Sequence, residues 1–240
     1  MKQLILIFMI LISFSATGQE KKAVWDYPVK PGSEGWNQCN SAEDIFEKLN
    51  IPESVLKGLD TESLIQICLD YPAATAVLMV YNTPQQGFDV FFEQFNGIRE
   101  LMSRKDVGHF LLNKYSSMSL TDFNPLWTDE KQGDFTFRFY YVELFLVQPQ
   151  SLQSLNVLER RLLLKEALQK FDLKNSRGDL FGGNSLNMTT WILAKTLLFE
   201  NKLQINGSTP LNIESSLKSG VISGFDVSSV FQQAKKYSDE

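Results

Sequence analysis

The sequence predicts an all-α protein built as a compact array of about ten short to medium helices. Two observations support this prediction. Residues that cap helix N-termini recur before short apolar segments, and the apolar residues of those segments recur at spacings of three and four. No sequence repeat of fixed period is present, so a solenoid-like arrangement of the helices stays an open alternative.

The first half of the chain contains five predicted helices. Their predicted starts are, in chain order, Ser41 (with Asp44 three residues later), Pro52, Asp60 or Thr61, Thr83 and Asp106. The fourth has the clearest apolar face, since phenylalanines at 88, 91, 92 and 95 lie along one side of a helix. Asn96-Gly97 predicts the end of that helix.

Two breaks, at 119–133 and 174–184, divide the rest of the chain. Between them, the aromatic residues from Phe135 to Tyr141 alternate as in a strand, but apolar residues from Phe135 to Leu146 also match helical spacing. We predict a helix here, because the stretch is long for one strand and leads into a helical region. Further helices are predicted after Asn156, around Met188–Phe199 and after Asp226.

The N-terminus has the features of a secretory signal peptide over residues 1–18. Lys2 precedes the apolar run Leu4–Ile12, and Ala16 and Gly18 match the small residues of a cleavage site before Gln19. The run is too short to cross a bilayer, and no later segment is long and apolar enough. The sequence therefore predicts an exported protein, periplasmic or extracellular, with no membrane span in the mature chain.

The remainder divides into two predicted regions. Residues 19–37 are rich in aromatic residues, proline and glycine, and predict an irregular leader that packs along the body. Residues 38–240 predict one helical domain, with a division into halves at 38–118 and 134–240 as the alternative.

Composition excludes several classes of function. The formal net charge is −5 and no basic run occurs, which argues against binding of nucleic acid. One histidine and two cysteines leave too few ligands for a histidine- or cysteine-based metal site, and no phosphate- or dinucleotide-binding motif is present. We therefore predict no metal and no cofactor.

A few residues are candidate site residues. Cys39 and Cys68 form either one disulfide or two free thiols. Glu143 lies in an apolar segment and is a candidate general acid, but it could equally face water or pair with Arg138 or Arg160. Three tryptophans in predicted irregular segments are candidate contacts to a partner: Trp25, Trp36 and Trp127. The alternative for each tryptophan is that it anchors the core.

Two segments resemble uncharacterised exported helical proteins of bacteria. The first runs from Ile51-Pro52 to Asp70-Tyr71-Pro72, and the second from Tyr81-Asn82 to Phe95-Asn96-Gly97. The resemblance is best over residues 25–118. It implies an all-helical secreted or envelope protein and assigns no catalytic residue.

Together these features predict a non-enzymatic module that binds a protein or peptide, or a scaffold. The alternative is a secreted hydrolase that uses paired carboxylates, for which Glu143 is the candidate acid.

Overall fold

The all-α class is confirmed. A computed structural model describes residues 25–204, 210–222 and 226–240, and within these ranges it contains fourteen α-helices, one short 3₁₀ turn and no strand. The predicted signal peptide and residues 19–24 of the leader lie outside the described residues. The helices are α1 Glu34–Asn37, α2 Ala42–Leu49, α3 Glu53–Leu56, α4 Thr61–Leu69, α5 Ala74–Leu78, α6 Pro84–Gln94, α7 Asn96–Ser103, α8 Val107–Ser117, α9 Asp129–Leu146, α10 Pro149–Ser154, α11 Val157–Ser176, α12 Gly183–Phe199, α13 Pro210–Ser219 and α14 Val227–Ser238.

Several helices begin at the cap residues predicted from sequence. The Ser41 hydroxyl accepts the backbone N–H of Asp44 at 3.1 Å, and the Thr83 hydroxyl caps α6 in the same way. Asn156 and Glu159 form a complete capping box, in which each side chain accepts the backbone N–H of the other residue. Each cap satisfies N–H groups that have no partner within the helix, which fixes where the helix starts.

The predicted stop at Asn96-Gly97 agrees with the end of α6, whose last residue is Gln94 and whose C-cap is Phe95, but the prediction misses α7, which begins directly at Asn96. Asn96 is held by distant residues: its backbone N–H donates to Asn50 Oδ1 at 2.8 Å, and its own Oδ1 accepts the N–H of Ile51 at 2.9 Å.

The short helices α1, α5 and α10 and the longer α13 are also absent from the sequence prediction. Helix α9 begins inside the first predicted break, where Thr128 caps it.

The core is one contiguous apolar cluster that extends from Tyr27 to Tyr237 and includes residues on both sides of 119–133. The C-terminal half of α9 lies within it, and all eight residues of Phe139–Leu146 are buried. The helical alternative for this stretch is therefore confirmed, and the strand alternative is wrong. A helix buried on every side loses the polar face that normally identifies it in a sequence.

Helices α11, α12 and α14 pack against one another at the C-terminal end of the chain. In α12 the predicted apolar residues are buried at the middle of the helix but not at its C-terminal end. Met188, Trp191 and Ile192 are buried, whereas Leu198 and Phe199 are exposed.

The described part of the leader packs on the helical body. Tyr27 and Val29 belong to the core, and the Tyr27 hydroxyl donates to the backbone oxygen of Ile67 in α4 at 2.8 Å. The leader is not irregular throughout, because Ser33 caps the single-turn helix α1. Trp25 and Trp36 pack partly buried against the core.

Among the described residues, no helix combines the length and the apolar character that crossing a bilayer requires.

Glycine allows α8 to approach α10 closely. The Gly108 N–H donates to Ser154 Oγ at 2.7 Å, and a Cβ at this position would overlap the backbone oxygen of Ser151. We expect Gly108→Ala to lower the free energy of unfolding by about 1–3 kcal/mol, as overpacked sites do, measured by urea denaturation.

Gly133 in α9 is the matched control, because a Cβ there meets no atom within 4 Å. Gly133→Ala is expected to raise stability by about 0.5–1 kcal/mol, the difference in helix propensity between the two residues. Equal effects of the two substitutions would contradict the close approach of α8 to α10.

Candidate functional site

Glu143 lies at the centre of a buried polar cluster. Its side chain has no exposed surface, and Lys174 Nζ lies 2.7 Å from both of its carboxylate oxygens. Oε1 also accepts hydrogen bonds from the Tyr115 hydroxyl at 2.7 Å and from Thr189 Oγ1 at 2.8 Å. The carboxylate therefore exchanges its water shell for four short hydrogen bonds, which is what a buried charge requires.

The cluster takes one residue from each of four helices, because Tyr115, Glu143, Lys174 and Thr189 lie in α8, α9, α11 and α12. Lys174 Nζ also donates to Thr189 Oγ1 at 3.0 Å, so its three protons all have acceptors. The rings of Phe139 and Phe181 lie within 6 Å of the Lys174 ammonium. Hydrogen bonds to the Glu143 carboxylate therefore link all four helices.

Burial shifts the pKa values of two members of this cluster, Lys174 and Tyr115. Desolvation lowers the pKa of Lys174 below its ordinary value, and the adjacent Glu143 carboxylate opposes that shift. Burial, reinforced by Glu143, raises the pKa of Tyr115 well above its ordinary value. At neutral pH the Tyr115 phenol is therefore protonated and acts as a donor to the carboxylate.

The predicted partners of Glu143 are wrong. Arg138 forms its ion pair with Asp70, and Arg160 forms one with Glu200. Glu143 does not face water either, because it is fully buried. It also lines none of three surface cavities of the described residues. A carboxylate that is enclosed and held by an ammonium group is poorly placed to protonate a substrate.

Trp25 lines a surface cavity of about 490 Å³ between the leader and α4. Its ring packs edge-on against Tyr27 with centroids 4.6 Å apart, and the other walls include Pro31, Pro72 and the carboxylates of Asp26 and Asp70. The lining thus includes two aromatic rings, two prolines, two carboxylates and the ammonium group of Lys30.

A second cavity of about 320 Å³ shares Pro31, Asp70 and Pro72 with the first. Its far wall is one face of α9, formed by Glu130, Asp134, Arg138 and Tyr141. These residues are spaced by four, four and three, so their side chains lie on the same side of the helix. We call the two adjoining cavities the leader groove.

The two other candidate tryptophans do not line the leader groove. Trp127 packs against Phe123 and Phe135, and Lys131 Nζ lies 4.7 Å from the centre of its ring. Trp36 is partly buried against the core. Of the three tryptophans, the structure therefore places only Trp25 beside a described cavity.

The structure contains both cysteines as free thiols. Cys68 is buried in α4, whereas Cys39 lies near the surface with its sulfur 3.4 Å from Lys48 Nζ. No group of three or more potential metal ligands occurs in the described ranges.

Lys174 is absent from the residues predicted for the site, although the sequence contains a signal for it. The buried residues Arg160, Leu163, Leu164 and Ala167 of α11 continue at helical spacing to Lys170 and Lys174. A lysine on the buried face of a helix is rarely found without an ionic partner, and Glu143 is a carboxylate within an apolar segment. Tyr115 and Thr189 give no such signal, because each residue type occurs commonly inside proteins without an ionic partner.

We expect Lys174→Met to lower the free energy of unfolding by about 3–5 kcal/mol, because it leaves Glu143 as an uncompensated buried charge. Adding Glu143→Gln should restore most of the loss, since the amide keeps an acceptor for Tyr115 without the charge. Urea denaturation of the single and double variants measures both effects.

Lys195→Met provides the control. Lys195 lies half-buried in α12, burial lowers its pKa, and it forms no ion pair with the described residues. Its substitution should change stability by less than about 1 kcal/mol. Equal losses for Lys174→Met and Lys195→Met would show that the ionic contact with Glu143 is unimportant.

Comparison of the chain with protein-family models, with curated proteins and with solved structures found no match. The resemblance to uncharacterised exported helical proteins therefore stays a prediction. The geometry of the described residues is the basis on which a function can be proposed.

Proposed function

We propose that this protein is an exported, non-enzymatic binding module that holds a basic, extended segment of a partner protein in the leader groove. The observation that supports this most directly is the composition of the groove: a partly exposed tryptophan lies at one end, and two carboxylates without an ion pair among the described residues lie at the other.

The charges of the groove favour a basic partner. Asp26 pairs with Lys30 at 2.6 Å, and Asp70 pairs with Arg138 at 2.5 Å. Glu130 and Asp134 also line it, and neither forms an ion pair with any described residue. The groove thus has an excess of two negative charges, and a partner with lysine or arginine side chains would complement them.

The apolar surface of the groove suits an extended chain. Pro31 and Pro72 keep the backbone on both sides in fixed conformations, so little conformational entropy is lost when a ligand binds. The exposed part of the Trp25 ring offers a flat surface on which an aliphatic stem or a cationic side chain can rest. Aromatic rings of this kind dominate the binding energy of many protein interfaces.

The alternative hydrolase receives no support from Glu143. Paired-carboxylate hydrolysis requires two carboxyl groups that flank a cleft reached by substrate. Glu143 is instead fully buried, and its nearest ionic neighbour is the ammonium group of Lys174.

Removal of the two unpaired carboxylates tests the contribution of charge. The probe is a fluorescein-labelled dodecapeptide of alternating lysine and alanine, and its binding is followed by fluorescence anisotropy. Each exposed charge contributes up to about 1 kcal/mol, so we expect the double substitution Glu130→Gln/Asp134→Asn to weaken binding about tenfold. A matched peptide of alternating glutamate and alanine should not bind.

Glu43→Gln/Glu47→Gln is the control for this experiment. Glu43 and Glu47 are exposed, lie one turn apart on α2 and form no ion pair with described residues, so the variant removes the same charge elsewhere. Equal weakening by both double substitutions would show general electrostatic attraction and would exclude the leader groove as the site.

Export is the second part of the proposal and rests on residues 1–18. When the full chain is produced in a bacterial host, we expect the exported protein to begin at Gln19, as shown by N-terminal sequencing and intact mass. Ile7→Arg interrupts the apolar run Leu4–Ile12 and should leave the chain uncleaved in the cytoplasm. Recovery of the unaltered chain from the cytoplasm with Met1 or Lys2 at its N-terminus would contradict export.

A further inference from the structure

A third cavity lies on a different part of the surface, between the α5–α6 connection, α9, the first turns of α12 and the two residues that follow α13. Its volume is about 250 Å³. Its polar lining consists of three asparagines and two tyrosines: Asn82, Asn184, Asn187, Tyr81 and Tyr140. The remaining lining is apolar and no charged side chain takes part. We call this cavity the amide pocket.

We propose that the amide pocket binds one uncharged sugar ring of a saccharide. An amide side chain offers both donors and an acceptor, and a sugar hydroxyl needs both kinds of partner. The apolar lining residues, which include Val221, can contact the C–H groups of a pyranose. The volume lies just below the range of about 300–1,000 Å³ typical of sites for drug-sized ligands, so it suits a single ring.

The polar groups of the pocket are available for a ligand. Within the described residues, the three asparagine side chains and the Tyr140 hydroxyl have no hydrogen-bond partner in the protein. The asparagines are exposed, whereas the exposed fraction of Tyr140 is only 6%. Burial raises the pKa of Tyr140 to about 12, so its phenol is a protonated donor at neutral pH.

Close packing preforms the walls of the pocket. Gly220 has φ of +81°, and a Cβ there would lie 2.7 Å from the ring of Trp191, so only glycine allows the chain to leave α13 at this distance from α12. Trp191 is fully buried and its Nε1 donates to the backbone oxygen of Leu217 at 2.9 Å. On the opposite side, Gly87 brings α6 against the backbone of Leu78 at the end of α5.

The lining disfavours charged ligands. A phosphate or carboxylate would find no lysine or arginine in the pocket, and a metal ion would find no carboxylate. A neutral sugar loses no ionic hydration on entry and can form hydrogen bonds with several amides at once. The amide pocket is independent of the leader groove, since the two sites share no residue.

The test uses ligand-detected saturation-transfer NMR on the purified protein. The probes are glucose, galactose, mannose, fucose, N-acetylglucosamine and N-acetylgalactosamine, each measured separately in the millimolar range, with glucuronate as the charged counterpart. We expect transfer to at least one neutral sugar and weaker transfer to glucuronate. Absence of transfer to all six neutral sugars, or equal transfer to glucuronate, would overturn the proposal.

The double variant Asn184→Ala/Asn187→Ala locates the site. Both side chains are exposed on α12, so their removal should leave the urea midpoint unchanged while weakening sugar binding at least tenfold. Asn175→Ala is the matched control, because Asn175 is an exposed asparagine of α11 outside the pocket. This variant should bind the sugar as the unmodified protein does. Binding that survives in the double variant would place the sugar elsewhere and refute the assignment.

Discussion

The contact between Glu143 and Lys174 constrains the packing of the longest helices. Two charges without exposed surface cost several kcal/mol each to desolvate, so they are tolerated only where every donor and acceptor is matched. Tyr115 and Thr189 complete that match, and each comes from a different helix. A shift of one helix along its axis would separate an ammonium from a carboxylate within the core. The cluster therefore favours one register of α8, α9, α11 and α12 over its neighbours, in addition to the general requirement for apolar contact.

The sequence is sufficient to predict the class of fold and the starts of several helices, because those depend on local chemistry. A cap at Ser41, Thr83 or Asn156 satisfies N–H groups within three residues, and the same three residues are visible in the sequence. The start of α7 could not be predicted in this way. Asn96 is typical of a helix end on local grounds, but it begins a helix because Asn50 and Ile51, 46 and 45 residues earlier, bind its backbone and side chain.

The candidate sites also combine residues that can be recognised from local sequence with residues whose positions depend on distant contacts. Trp25 is recognisable from its aromatic character in a Pro/Gly-rich segment, but the carboxylates of the leader groove include groups from α9 and from the end of α4, whose positions depend on the whole core. Asn184 and Asn187 have no feature that separates them from other exposed asparagines. They become notable only because the chain after α13, held against Trp191 by Gly220, faces them across a cavity.

Solvation distinguishes the carboxylates of α9 from one another. Glu143 and Glu130 lie thirteen residues apart on the same helix, yet the first is fully enclosed and neutralised by Lys174 while the second is exposed and forms no ion pair with the described residues. An enclosed pair contributes no net charge to the surface, so it cannot attract a distant ligand. The carboxylates that α9 contributes to the leader groove, Glu130 and Asp134, therefore lie in its first two turns. The same helix thus contributes its C-terminal half to the core and lines the leader groove with Glu130 and Asp134 of its N-terminal half.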